Sequence, residues 1–413
     1  MSSVPSPLSP ESWPFSLKFL PSTAYMVGGA VRDALLGRTR EYLDLDFVLP
    51  SDAVKVARKI ATHYNAGFVL LDPERQIARV VFPHATADFA QQEGNCLETD
   101  LHRRDFTVNA IAYNPHTQEI IDPLHGYSDI QRQVLRMVSP ANLEDDPLRL
   151  LRCYRQASQL CFTIEPVTQS TIRSLASHIT KVAAERVRVE LGYMLANPQG
   201  TPYLRGAWED GLLAPFFKAA VKESFTRLAQ VDIAASALTT VCPPFTEKLT
   251  QYVRDTVKTT WLSIAKLACL VNSKPEAAEI ELQELTYSRA EIKAVVTAIR
   301  ICPQIKVLSM SLREQYFLFQ EAGFVFPAIA VLAVVHSNPV EAIAPLISRY
   351  LNPDDPVAYP KQLVSGKELI IALNIPASPL VGTLLTEIAV AQIEGKVSTR
   401  TQAVEFAHQL INN

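Results

Sequence analysis

The stretch Tyr25–Pro50, reading YMVGGAVRDALLGRTREYLDLDFVLP, constrains this chain more than any other. A short apolar run leads into Gly28-Gly29, a helical segment opens with Arg32-Asp33, and a second apolar run carries Asp44 and Asp46. Alternate residues of a strand share a face, so the two carboxylates project together while Leu43, Leu45 and Phe47 take the other side. Two acids on one face repel each other unless a cation sits between them. A pair of Mg²⁺ ions about 4 Å apart is the usual resident where a phosphoryl or nucleotidyl group moves. Backbone N–H groups at a helix N-terminus, left bare by Gly28 and Gly29, suit a phosphate chain. Each half alone has a plainer reading, a tight turn and a solvated strand edge. Within one strand–helix–strand unit they predict a phosphate cradle beside a metal-binding strand.

Downstream, Ala53, Val56, Ala57, Ile60, Ala61 and Tyr64 recur at helical spacing, which predicts a helix between Ser51 and Asn65. Phe68–Leu71, Ile77–Phe82 and Ala85–Ala90 are short, rich in Val, Ile and Phe, and separated by turn residues, so they read as strands. Asp88 in the last of them is either a third acid facing Asp44 and Asp46 or a plain edge-strand acid. In Leu101–Asn114, LHRRDFTVNAIAYN, Arg103 and Arg104 offer forks that suit phosphate or ribose oxygens. Asp105 is placed to orient one of those arginines, and Asn109, four residues on, would share its face in a helical turn.

A third segment, Leu143–Gln156, reads LEDDPLRLLRCYRQ. Asp145 or Asp146 suits a helix cap and Pro147 the first turn, with Leu148, Leu150, Leu151 and Tyr154 as the apolar side. Arg149, Arg152 and Arg155 recur every third residue and line one broad face. Asp146 and Arg149 would set an acceptor beside a forked donor. Cytosine and adenine present an amine next to an acceptor nitrogen on their pairing edges, whereas uracil and guanine present the reverse. One Asp–Arg pair is thus matched to C and A.

These segments carry a resemblance. GGAVRD followed by DLDFV resembles the opening of the class II tRNA nucleotidyltransferases and bacterial poly(A) polymerases, within the DNA polymerase β-like superfamily. RRDFTVNAIA resembles the family's second signature, where the arginine matching Arg104 contacts the nucleotide. LEDDPLR resembles its Glu-Asp-x-x-Arg protein template, with Asp145 standing where the family has Glu, and Arg152 and Arg155 match arginines that reach the nucleotide. VAAERVRVELGYML, Val182–Leu195, resembles the ERxxxEL signature, which implies a salt-bridged brace formed by Glu185, Arg186 and Glu190. GKELI and the SPLVG run, both within Leu363–Leu410, resemble the tail that holds tRNA.

The resemblance implies an α+β fold with a polymerase-β-like head over residues 1–138, a mixed sheet with helices, followed by an all-helical remainder. That remainder divides into a neck at 139–220, a body at 221–300 and a tail at 301–413. It implies catalysis with two Mg²⁺ ions on Asp44 and Asp46, with tRNA and CTP or ATP as partners. Nucleotide binding falls to Gly28, Gly29, Arg32, Arg104, Asp105, Asn109, Asp146, Arg149, Arg152 and Arg155. Between Phe89 and Asp100 lie only ten residues, AQQEGNCLET. Family members that add C, C and A carry a longer flexible loop there, and those that add only the two cytidines resemble this chain in having it short. The expectation is a CC-adding enzyme beside a separate A-adding one. Full CCA addition, addition of A alone, poly(A) polymerase activity and an inactive RNA-binding member are the alternatives.

Composition excludes other classes. No apolar run reaches the roughly 18 residues of a membrane span, and Val325–Val335 reads as a buried helix. The N-terminus, MSSVPSPLSPESWPF, lacks a basic start and an apolar core, so no secretion signal is read there. Six cysteines are scattered without a C-x-x-C pair, which points away from a zinc or disulfide framework and toward the cytoplasm. A net charge of −3 makes any RNA-binding surface a local one.

Overall fold

The computed structural model describes residues 6–38, 42–254, 257–305 and 310–412. The first five residues of the Ser/Pro-rich start, and 39–41 within the opening stretch, lie outside that set. The chain forms two compact units, residues 1–190 with 203–212, and residues 191–202 with 213–413.

In the first unit, among the described residues, a seven-stranded mixed sheet has the order β3-β4-β5-β2-β1-β6-β7. Its elements in chain order are β1 (Tyr25–Val27), α1 (Gly29–Leu35), β2 (Leu43–Leu49), α2 (Ala53–Tyr64), β3 (Gly67–Asp72), β4 (Ile77–Phe82) and β5 (Ala85–Gln91). Then follow α3 (Leu97–His102), β6 (Ala112–Asn114), β7 (Glu119–Ile121), α4 (Gly126–Arg132), α5 (Pro140–Asp145), α6 (Leu148–Leu160), α7 (Pro166–Leu175) and α8 (Ala184–Ala196), of which the residues from Leu191 on belong to the second unit. β2 and β5 run parallel at the centre, and the other neighbours are antiparallel.

The period-two pattern of β2 divides its surroundings. Leu45, Phe47 and Leu49 are buried on one face. There the Phe47 and Phe89 rings stack at 5.4 Å, and Trp13 and Phe15 from the N-terminal segment pack on them at 5.1 and 6.0 Å. Such aromatic pairs bury large areas and fix ring geometry. The opposite face carries Asp44 and Asp46, then Val48, which is buried with Val27, Leu101, Ala110 and Ala112. The acids therefore stand at the rim of a small apolar cluster. Gly28, with φ +73°, makes the turn between β1 and α1 in a conformation that L side chains rarely adopt.

The second unit is built from helices packed in pairs. Lys222–Val241, Trp261–Leu270 and Arg289–Ile301 surround Phe326–Val335. That central helix is apolar on all sides, as a core helix must be, and Ile329, Val331 and Ala333 have no exposed surface. With the helix Leu312–Ala322 and the 3₁₀ turn before it, Leu312–Val335 is long and apolar enough to cross a membrane, but the packing of Phe326–Val335 among three helices is that of a core element. A smaller cluster around Leu369, Leu384, Ile388 and Ala407 closes the C-terminal helices. Among the described residues the expected all-helical remainder is interrupted by the short strand Thr163–Ile164, paired with Val134–Leu135, and by a two-stranded ribbon of Tyr252–Arg254 and Val257–Thr260. Its β-branched Val253, Val257, Thr259 and Thr260 favour extended backbone.

Candidate active site

Sheet register brings three carboxylates together. In the parallel pair of β2 and β5, Asp46 lies opposite Asp88 and Asp44 opposite Thr86. The Thr86 hydroxyl donates to Asp44 Oδ1 at 2.7 Å. Asp88 is not an edge-strand acid, since β5 is interior to the sheet, but its charge is already matched. Arg79 of β4 donates to both of its oxygens at 2.7 Å. Asp46 receives no hydrogen bond from any described residue. Burial first, and then the Asp44 and Asp88 charges, push its carboxyl up to about 7, against the pull of Arg104 and Arg79.

An enclosed acid facing another acid, with no donor of its own, is the environment a hard divalent cation relieves. Asp44 and Asp46 are thus the fitting ligands. No group of three or more His, Cys, Asp or Glu side chains with metal-binding geometry occurs among the described residues. Substrate oxygens would have to complete the coordination.

Gly28 closes the site from the β1–α1 turn. A methyl group placed on it would lie 3.2 Å from Asp46 Oδ2 and 3.6 Å from Arg104 Nη1. The first two motifs and the RRD segment therefore meet at one point. Arg104 is steered there by Asp100, which accepts from Nη2 at 3.1 Å, while Arg104 Nε is buried with no protein partner among the described residues. Arg103 turns elsewhere, to an exposed pair with Glu93 at 3.1 Å.

The expected role of Asp105 needs correction. It orients neither Arg103 nor Arg104; its Oδ2 accepts from Arg152 Nε and Nη2 at 3.2 and 3.1 Å. The chain reverses after Arg104, so Asp105 is buried beneath α6. Its carboxyl is lowered below the usual aspartate range: burial opposes this, and Arg152, the Asn109 amide and the Phe106 N–H outweigh it. Asn109 does come to Asp105, donating at 2.9 Å, through a 3₁₀ turn (Thr107–Asn109) rather than an α-helix. On its other side Asn109 accepts from Arg32 Nη1 at 2.6 Å, and Arg32 also binds Asp33 at 2.7 Å.

The third motif is split. Ser139 caps α5, Asp146 is extended, and α6 starts after Pro147. Asp145 ends the earlier helix, and Asp146 Oδ1 accepts from the Leu148 N–H at 3.3 Å. Asp146 and Arg149 do not pair with each other side by side. Asp146 holds Arg186 of α8 at 3.0 Å, and Arg149 Nη1 donates to the carbonyls of Arg103 and Asn142, both at 3.0 Å. Arg149 Nη2 and Nε donate to no described residue and form an open donor edge. Arg155 is tied to Glu190 of α8 and donates to Gln159 at 2.8 Å. The brace by Arg186 and Glu190 is present; Glu185 is exposed and pairs with no described residue.

Several residues here escaped the sequence reading: Arg79, Thr86, Asp100, Asn142 and Gln156. Asn142 donates to the carbonyls of His102 and Arg104 at 2.7 and 2.8 Å and so shapes the arginine turn. Gln156 carried the one usable signal, since it continues the Arg149–Arg152 stripe onto the buried side of an amphipathic helix.

The chain is similar to known proteins along most of its length. The profile of the poly(A) polymerase head domain matches residues 24–136, that described as "probable RNA and SrmB-binding site of polymerase A" matches 161–223, and tRNA nucleotidyltransferase domain 2 matches 255–407. A CC-adding tRNA nucleotidyltransferase of Synechocystis is 49% identical over 96% of this chain and 96% of its own length. Another CC-adding tRNA nucleotidyltransferase, from Geobacter sulfurreducens, is 30% identical over 93% of this chain and 91% of its own. Among solved structures, a CCA-adding enzyme in complex with ATP superposes with a TM-score of 0.73 at 20% identity, covering 94% of this chain and 91% of its own. The chain is an enzyme of the tRNA nucleotidyltransferase family.

Proposed function

We propose that this enzyme adds the two cytidines of the tRNA 3′ end from CTP, releasing pyrophosphate, and leaves the terminal adenosine to a separate A-adding enzyme. The observation that carries the C-only reading is the connection from β5 to α3. Only residues 92–96 separate Gln91 from Leu97, and this short span is pinned. The Gln92 N–H donates to the Leu49 carbonyl at 2.7 Å and the Glu93 N–H to Asp100 Oδ1 at 3.0 Å. Nothing of that length and fixity can swing the Asp146–Arg149 template between two bases.

In this reading Asp44 and Asp46 hold two Mg²⁺ ions. Ions so bound supply activation of the RNA 3′-hydroxyl and neutralisation of the departing pyrophosphate. Gly29, Arg32 and Arg104 bind triphosphate and ribose. The open edge of Arg149 donates to the cytosine ring nitrogen and carbonyl, while Asp146 accepts from the amine. The head, 1–138, thus carries the chemistry, the neck (139–220) reads the base, and the body (221–300) and tail (301–413) hold tRNA by its phosphates. A cytoplasmic setting suits the six cysteines, all of which are free thiols.

The test is nucleotide addition to three tRNA transcripts, ending before the first C, after one C and after both. The expected outcome is extension of the first two by CTP and of none by ATP. Adenosine on the CC-ending transcript would refute C-only addition.

A further inference from the structure

A buried amide relay joins the two ends of the proposed nucleotide grip, and Gln156 is its centre. Gln156 is 3% exposed. Its Oε1 accepts from Asn109 Nδ2 at 2.8 Å, and its Nε2 donates to Asp105 Oδ2 at 3.2 Å. Among the described residues no other α6 side chain bonds both Asp105 and Asn109. Both hydrogens of Asn109 Nδ2 are thereby taken, one by Asp105 and one by Gln156, so the Asn109 carbonyl must face Arg32. Asp105 is the acceptor that sets the direction of the whole chain of bonds. One end of the relay is Arg32, which stands by Gly29 in the phosphate cradle. The other is α6, whose Arg149 lies seven residues, about 10 Å along the helix, from Gln156.

We propose that Gln156 is a positioning residue that fixes the spacing between the triphosphate grip at Arg32 and the base-reading edge at Asp146 and Arg149. The proposal rests on the reading of this site as a nucleotide site. A nucleotide held at both ends is sensitive to that spacing, because small misplacements of a bound reactant cost large factors in rate. Without the Gln156 carboxamide, Asp105 keeps Arg152 but loses a donor. The Asn109 amide then keeps Asp105 and Arg32 but loses its tie to α6, so the orientation of Arg32 is no longer set from that helix. Base selection suffers as well as affinity, since the discriminating edge moves relative to a fixed triphosphate.

Two variants test this. Gln156→Met keeps length and volume without hydrogen bonds; Gln156→Glu is isosteric, keeps the acceptor for Asn109 and turns the donor to Asp105 into a repelling carboxylate. CTP and UTP binding are measured without tRNA, and steady-state addition with it, alongside melting curves. Both variants should weaken CTP binding roughly tenfold and reduce the CTP-over-UTP preference, with the KM for tRNA unchanged. Adding Asn109→Ser to either should cost little more, since the two amides act as one unit. A lower melting temperature with CTP affinity and preference intact would make Gln156 a core residue only and overturn the proposal. Should Gln156→Met fail to fold, the isosteric Gln156→Glu decides by the same criteria. A wild-type protein that binds CTP but extends no tRNA would refute the functional reading and leave the relay to be judged on binding alone.

Discussion

Asp46 is an acid to which no described residue donates a hydrogen bond, and that state has a measurable consequence. Its carboxyl stands at about 7 in the folded protein against 3.8 when exposed. Between those values the native state holds a proton that the unfolded chain has lost. The stability Asp46 contributes is therefore full below about pH 4, falls as pH rises to about 7, and is level beyond. Mg²⁺ binds the ionised form, so it should raise the melting temperature more at about pH 8 than at about pH 6. Asp46→Asn should remove that difference and abolish nucleotide addition. An equal shift at both pH values, or one that survives the substitution, would take Asp46 out of the metal site. The acids themselves were legible because a strand's period of two is written in LDLDF. Their environment was not. Arg79 and Thr86 reach the site through strand register and Asp100 from the short helix α3, and local spacing does not state which residue lies opposite which. Asp105 was misread for the same reason, its partner Arg152 being 47 residues away.

The helices around the proposed template, α6 and α8, are held by two ion pairs of different character. Arg155 and Glu190 are largely buried, at 15% and 7% side-chain exposure, whereas Arg186 and Asp146 are open, at 51% and 33%. Removing one member of a buried pair strands the other charge and costs about 3 kcal/mol or more. An exposed pair contributes under about 1 kcal/mol. Glu190→Ala should therefore lower the melting temperature of the first unit markedly. Arg186→Ala should leave it nearly unchanged and act instead on the preference for CTP over UTP, since Asp146 loses its fixed orientation. Comparable melting curves for the two variants would reject this division of roles. Periodicity was enough to read α2, β4, β5 and the apolar side of α6. The start of α6 beside Asp146 and Pro147 was readable from cap chemistry, but the short α5 before it was not, because six residues carry too few apolar positions to show a period. Trp13 and Phe15 were likewise hidden in a Ser/Pro-rich segment with no period at all.

Each of the two units has its own core, and every residue of the proposed nucleotide site, from Gly28 to Glu190, belongs to the first. The second unit is centred on a helix without a polar face, so its stability can be attacked separately. Val331 has no exposed surface and sits among the surrounding helices. An aspartate there would bury an unpaired carboxylate, a cost of several kcal/mol that a marginally stable fold of this size does not tolerate. Val331→Asp should expose the region beyond residue 213 to proteolysis and abolish addition to tRNA. The first unit keeps its aromatic cluster, its sheet and its relay, so CTP binding in the presence of Mg²⁺ should persist within about threefold of wild type. Retained CTP binding with lost addition would assign the nucleotide to the first unit and the need for the second to tRNA. Loss of both would mean that the first unit cannot hold its site without the second, and the chain would then have to be treated as one cooperative body.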